Sequence, residues 1–153
     1  MDLLNVMQKR RSVRTYTEEA VTEEKLTCIL QAGLLSASGK AIRPWEFIVV
    51  RNKEALKIMS QCRVAGSKML ASADCAIVVL GDEEKSDVWV EDCSVAMANM
   101  HLMADSLGVG SCWIQGRLRE APEGRTTEDF LRELLKFPGS CRLEAILSLG
   151  MPK

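Results

Sequence analysis

The stretch from Glu91 to Gly116, EDCSVAMANMHLMADSLGVGSCWIQG, constrains the fold of this chain more than any other. Val95, Met97, Ala98, Met100, Leu102, Met103, Ala104 and Leu107 leave its first part almost no polar face when wound into a helix. A helix that is apolar nearly all round is buried. With Asn99 and Asp105 inside it, it is too short and too interrupted to span a bilayer. It should therefore run through a core or across a subunit interface. Gly108 ends it, because glycine accepts the left-handed conformation that a helix stop favours. Val109, Gly110, Ser111, Cys112, Trp113 and Ile114 then read as a strand, closed by Gln115-Gly116. A buried helix feeding a strand that ends at glycine can present backbone N–H groups to a ligand.

The rest of the composition narrows the class. The 153 residues suit a single domain over 1–153 with a real core. A net charge of −1 gives no general attraction to nucleic acid or to anionic membranes. In MDLLNVMQKRR the charges follow the apolar part, the wrong order for a secretory signal. Six cysteines, at 28, 62, 75, 93, 112 and 141, form no CxxC pair and no metal-ligand spacing, which predicts free thiols in a reducing cytoplasm. The single histidine, His101, lies in the apolar helix and reads as a satisfied core or interface group. Any Ser/His/Asp or Cys/His device would need it, so such chemistry is disfavoured.

In chain order, Leu3, Leu4, Val6 and Met7 predict a short helix that runs into RRSVR at 10–14. That cluster is either a solvated basic turn or an anion site, since forked guanidiniums and a serine hydroxyl match phosphate oxygens. Thr22 caps a second helix with Glu23 and Glu24 in its first turn. It ends in the small, polar loop at Ser36 to Lys40, before a strand over Trp45–Val50. Small residues there would let a flat ligand approach the backbone; an ordinary helix-to-strand connection is the alternative. Lys53 to Cys62 and Val64 to Ala73 read as helical, and Cys75 to Gly81 as a strand buried on both faces. Thr126 to Phe137 reads as an amphipathic helix, with Thr126 and Asp129 spaced like a capping box, and Arg142 to Leu149 as the last strand. About five helices and four strands in mixed order make an α+β fold. No strand leads into GxGxxG or a P-loop, so a dinucleotide fingerprint or Walker site has no support.

Three stretches, RRSVRTY at 10–16, SASGKAIRPWEFIVV at 36–50 and ADSLGVGSCWIQG at 104–116, together resemble the nitroreductase family of FMN-dependent oxidoreductases over nearly the whole chain. The resemblance implies a homodimer, a mixed central sheet flanked by helices in each subunit, the long central helix at the dimer interface, and two FMN sites there. It puts Arg10, Arg11, Ser12 and Arg14 at the positions that hold the FMN phosphate, ribityl chain and flavin edge. Ala37, Ser38 and Gly39 match a loop that reaches the flavin of the other subunit. Ile114, Gln115 and Gly116 match the segment beside the flavin whose backbone N–H groups face N5, and Lys68 matches a position near the pyrimidine end. The sequence departs from the family pattern at Ala41, where asparagine is usual, and at Arg43, where glutamine is usual. Family members also continue past the Gly-x-Pro with a basic tail, for which Lys153 is the only counterpart here. The stretch at 82–91 is short where larger members carry lid insertions, which implies an open pocket.

The implied function is two-step hydride transfer, from NAD(P)H to FMN and then to an electron-poor acceptor such as a nitroaromatic or quinone. Arginines beside the phosphate and the reduced flavin would each contribute on the order of 1.5–3 kcal/mol through charge-assisted hydrogen bonds. The cofactor carries the chemistry, so no side-chain nucleophile and no metal is required. The alternative is a flavin-binding or redox-sensing module with little turnover. A nucleic-acid binder using RRSVR is opposed by the near-zero net charge.

Overall fold

Four of the five helices begin at a side chain that accepts an otherwise orphaned amide. In the computed structural model, which describes residues 2–153, Asp2 accepts from Leu4 to open α1 (Leu3–Lys9). Thr22 accepts from Lys25 to open α2 (Glu23–Leu34), and Asn52 from Ala55 to open α3 (Lys53–Met59). The fourth helix, α4 (Trp89–Ser106), has no side-chain cap. Its stability comes from burial, with Cys93, Ala96, Met97, Met100 and Ala104 all in the core. Gly108, at φ +75°, ends it as the sequence predicts. Thr126 accepts from Asp129 to open α5 (Thr127–Leu135).

The strands β1 (Trp45–Val50), β2 (Cys75–Asp82), β3 (Gly110–Gln115) and β4 (Cys141–Gly150) form one sheet in the order β1-β2-β4-β3. The α+β class is as expected, but the sheet is not mixed: every strand pairing among the described residues is antiparallel. β2 and β3 do run in the same direction, since both oppose β4. Because β4 is inserted between them, the α4 crossover never sets parallel strands side by side. β3 is consequently an edge strand whose far side has no strand partner among the described residues.

Alternation along the strands feeds two cores. Cys75, Ile77, Val79, Ala145, Leu147 and Leu149 face α2 and α4. Ala76, Val78, Leu80, Leu143 and Ile146 face the layer that contains α3 and α5. The register shifts where Val79 opposes Ala145 but Leu80 opposes Leu143, which leaves Glu144 as the extra residue of a β-bulge. Helical structure expected over Val64–Ala73 is reduced to a 3-10 turn at Lys68–Ala71. Gly66, at φ +100°, breaks it.

The outward side of α4 is apolar but open. Val95 and Ala98 are exposed and Leu102 half-buried, at helical spacing i, i+3, i+7. Beside them, Leu3, Leu4, Met7, Leu34 and Leu35 of α1 and of the α2 C-terminal end are exposed. An apolar cleft of about 340 Å³ between these helices is lined by Leu3, Val6, Leu35, Leu102 and Met103 among others.

Candidate functional site

The basic segment 10–16 is strapped to the free edge of β3. Val13 N–H donates to the Ser111 carbonyl at 2.9 Å, and Tyr16 bridges Pro152. The Tyr16 hydroxyl donates to the Val13 carbonyl and accepts from the Ser148 hydroxyl, both at 2.7 Å, and burial pushes its pKa up to about 12. Gly110 is required beneath this strap, because a Cβ there would sit 2.8 Å from a Val13 methyl. The backbone is thereby fixed at Val13 and at Tyr16, on either side of Arg14. Ser12 and Arg14 are exposed, and among the described residues neither side chain has a hydrogen-bond partner. Arg11 is also exposed, but its Nη1 donates to the carbonyls of Gln8 (3.0 Å) and Arg10 (2.8 Å) at the end of α1. It is partly spent on capping that helix.

Arg10 is held differently. Its Nη1 lies 3.1 Å from Nε2 of His101, and Nδ1 of His101 lies 2.5 Å from the Ser111 hydroxyl. His101 is buried in α4, and burial together with the Arg10 charge pushes its pKa down to about 4. It is thus the satisfied interior histidine that the sequence suggests, and its partners are a basic side chain and the edge strand.

At the other end of β3, the Gly116 and Arg117 amides both donate to the Glu144 carbonyl, at 3.2 and 3.0 Å. This corrects the expectation that Gly116 offers a free amide. In an antiparallel ladder, alternate residues point their N–H groups inward. With Gly116 and Ile114 turned toward β4, the amide of Gln115 turns to the open edge. The Gln115 side chain is occupied, accepting from Trp113 Nε1 at 2.9 Å and donating to the Arg117 carbonyl at 3.0 Å. Glu144 itself is 2% exposed, its carboxylate accepting from the Ser94 hydroxyl at 2.7 Å. Burial pushes its pKa up, against the opposing pull of Ser94 and Arg117. Gly116 borders a cleft of about 540 Å³ that Trp89, Arg117 and Leu118 also line.

The third segment lies along α4, between Asp92 in its first turn and Asn99 beyond its middle. Asn99 Nδ2 donates to Ser36 Oγ at 2.8 Å, Arg43 N–H to Ser38 Oγ at 2.9 Å, and Gly39 N–H to Asp92 Oδ1 at 2.9 Å. Asp92 Oδ2 is buried without a hydrogen-bond partner among the described residues. Lys40, Ala41 and Arg43 all sit in the left-handed region, at φ 54°, 55° and 53°. Such conformations cost on the order of 1 kcal/mol or more each, and persist where the surroundings over-determine them. The pins to Asp92 and Asn99 do that here, leaving Ala37 exposed and Ser38 and Gly39 half-buried.

The structure therefore joins Arg10–Arg14 to the β3 edge. Among the described residues no hydrogen bond joins either to the Ala37–Gly39 loop. Lys68 stands apart, exposed on the α3 side, where it lines a cavity of about 400 Å³ with Ser60 and Arg63. Several supporting groups escaped the sequence reading: Ser111, Tyr16, Ser148, Asp92, Asn99 and Glu144. Asp92 and Asn99 carried a signal, as polar residues inside an apolar helix, and so did Glu144 within RLEAILSL.

Guanidiniums, a serine hydroxyl and an outward amide form a donor set that suits an anionic, acceptor-rich ligand with an extended flat part. That chemistry agrees with what the chain is similar to. The model of the family described as the nitroreductase family matches residues 7–63 and 59–151. An FMN-dependent nitroreductase from Clostridium difficile R20291 superposes with a TM-score of 0.96 at 45% identity, covering 98% of this chain and 87% of that one. A protein of Archaeoglobus fulgidus, under the provisional name NADH dehydrogenase/NAD(P)H nitroreductase, is 40% identical over 99% of this chain and 86% of its own length. A Desulfovibrio desulfuricans protein solved in complex with FMN superposes with a TM-score of 0.83 at 27% identity, covering 99% of this chain and 87% of that one.

Proposed function

The chain belongs to the nitroreductase family, and we propose from that membership that it is an FMN-dependent NAD(P)H oxidoreductase working through two half-reactions at one site. FMN held there would supply the hydride chemistry, with NAD(P)H as the donor and an electron-poor molecule such as a nitroaromatic or quinone as the acceptor. The observation that carries this reading is the donor-rich cluster of Arg10, Ser12 and Arg14 in the segment strapped to the free edge of β3, which also bears the outward amide of Gln115.

The residues of the chain have separable tasks. Arg10, Ser12 and Arg14 bind the phosphate, ribityl chain and flavin edge, with Arg11 contributing the N–H groups that α1 does not use. Their positive charge favours a reduced, more negative cofactor. The Gln115 amide is the backbone donor toward N5, while Ile114 and Gly116 fix its direction by bonding inward. Ala37, Ser38 and Gly39 serve the site of a second copy, which accounts for a strained loop tied to α4 rather than to its own arginines. The two copies meet across the open apolar side of α4 and the exposed leucines of α1 and α2, since a patch of that kind marks an association surface. No helix of the described residues is long and apolar enough to cross a membrane.

Steady-state kinetics test the two-step scheme. Varying NADPH at several fixed acceptor concentrations should give parallel double-reciprocal lines. Intersecting lines would require both substrates to bind together and would remove the shared-site scheme.

A further inference from the structure

Arg10 ends α1, where the chain turns toward the β3 edge, and a long side chain at such a place has many rotamers to choose among. Here one is selected by a chain of three groups from three elements. Arg10 Nη1 meets His101 Nε2 at 3.1 Å, and His101 Nδ1 meets Ser111 Oγ at 2.5 Å. The proton positions follow from chemistry. A guanidinium only donates, so Nε2 must accept, and the one proton of the neutral ring must sit on Nδ1. Nδ1–H then donates to the Ser111 hydroxyl. The carbonyl of the same Ser111 accepts from Val13 N–H. One strand residue thus registers both the backbone of the basic segment and, through the histidine, the direction of its first guanidinium.

We propose that His101 is a positioning residue: as the Nδ1–H tautomer, anchored on Ser111, it aims the Arg10 guanidinium at the cofactor. This rests on the reading that Arg10 contacts FMN. The buried, uncharged ring adds no charge of its own, so the positive charge of Arg10 is fixed in direction and left for an anion. His101 is buried, so the ring that holds both contacts is packed within the protein rather than free in solvent.

The test combines flavin titration, read by quenching of FMN fluorescence, with nitrogen-15 spectroscopy of the one histidine in the chain. Arg10→Ala is expected to weaken FMN binding by roughly tenfold or more, the range of a lost charged hydrogen bond. His101→Leu should weaken it by roughly tenfold, and His101→Gln, which restores an acceptor, should recover to within about threefold of the native protein. The double variant Arg10→Ala/His101→Leu should bind no more weakly than Arg10→Ala alone, since coupled residues are non-additive. If Arg10→Ala weakens binding while His101→Leu does not, or if the two losses add, the positioning role is overturned and the cofactor reading stands. If Arg10→Ala binds FMN like the native chain, the placement of Arg10 at the cofactor fails and the role of His101 fails with it. Should His101→Leu not fold, the native spectrum decides: the Nδ1–H tautomer supports the proposal, and Nε2–H, which cannot accept from Arg10, overturns it.

Discussion

Glu144 is a carboxylate that the fold tolerates rather than exploits. It occupies the bulge of β4, nearly out of reach of water, with its carbonyl holding the turn after Gln115. Burial raises its folded-state pKa above the ordinary value, so the native state binds the proton more tightly than the unfolded chain. Stability is then lost as pH rises from the usual carboxylate range through the raised value. Glu144→Gln, which keeps an acceptor for Ser94, should raise the melting temperature at neutral pH by roughly 2–4 °C, the shift that about 1 kcal/mol gives a chain of this size. The gain should shrink as pH falls toward about 4, measured by thermal unfolding across pH. His101 works in the opposite sense. Its folded pKa of about 4 lies below the ordinary histidine value, so its contribution is complete above about 6.5 and is lost as pH falls through about 4. The cysteines were legible as unpaired, and all six are free. Five are buried, and burial pushes Cys62 up to about 11 and Cys75 and Cys93 up to about 12. A native-state thiol assay should therefore find rapid reaction at Cys28 alone, and reaction of several thiols only on unfolding. Histidine as a core group was readable from its apolar neighbours; its link to Arg10 was not, because the two lie 91 residues apart and only the strap onto β3 brings them together.

Among the elements, the turn from β3 into Arg117 is tightly specified. A Cβ on Gly116 would meet the fully buried Leu143 side chain at 2.5 Å, so that side chain would have to move. Gly116→Ala should destabilise the chain by about 1–3 kcal/mol, the cost typical of overpacking, and should also weaken flavin binding by moving the Gln115 amide. Denaturant unfolding measures the first and flavin titration the second. Helix starts were readable because capping is local. Thr22 and Thr126 cap where the sequence places them, and Thr126→Ala should cost about 1 kcal/mol in the same unfolding assay. Strand positions were equally plain, from β-branched runs such as CAIVVL. Strand pairing was not. That β4 would slide between β2 and β3, and so remove any parallel contact, depends on which long-range ladder forms, and local pattern does not encode it. For the same reason the inward amide of Gly116 could not be foreseen, because ladder parity exists only once the register is fixed.

Viewed whole, the molecule has one closed face and one open one. The sheet is covered on both sides, yet the outer side of α4 leaves Val95 exposed and sets Leu102 on an apolar cleft that Leu35, 84% exposed, also lines. A second copy covering that side, as proposed, would account for a central helix that is apolar nearly all round, one half of it serving the core and the other the partner. Sedimentation should accordingly give a dimer. Val95→Glu, which sets a charge on the open side, should shift it toward monomer and lower flavin affinity as well, because the Ala37–Gly39 loop would lose the partner site it is proposed to serve. On the proposed function, Arg10, Ser12 and Arg14 at the β3 edge would hold the flavin that reduced pyridine nucleotide reduces. The most direct measurement is the visible spectrum of the FMN-loaded protein before and after one addition of NADH or NADPH without oxygen. Loss of the yellow absorbance with either nucleotide, and its return on adding a quinone, is the predicted result. A bound flavin that neither nucleotide bleaches would contradict it.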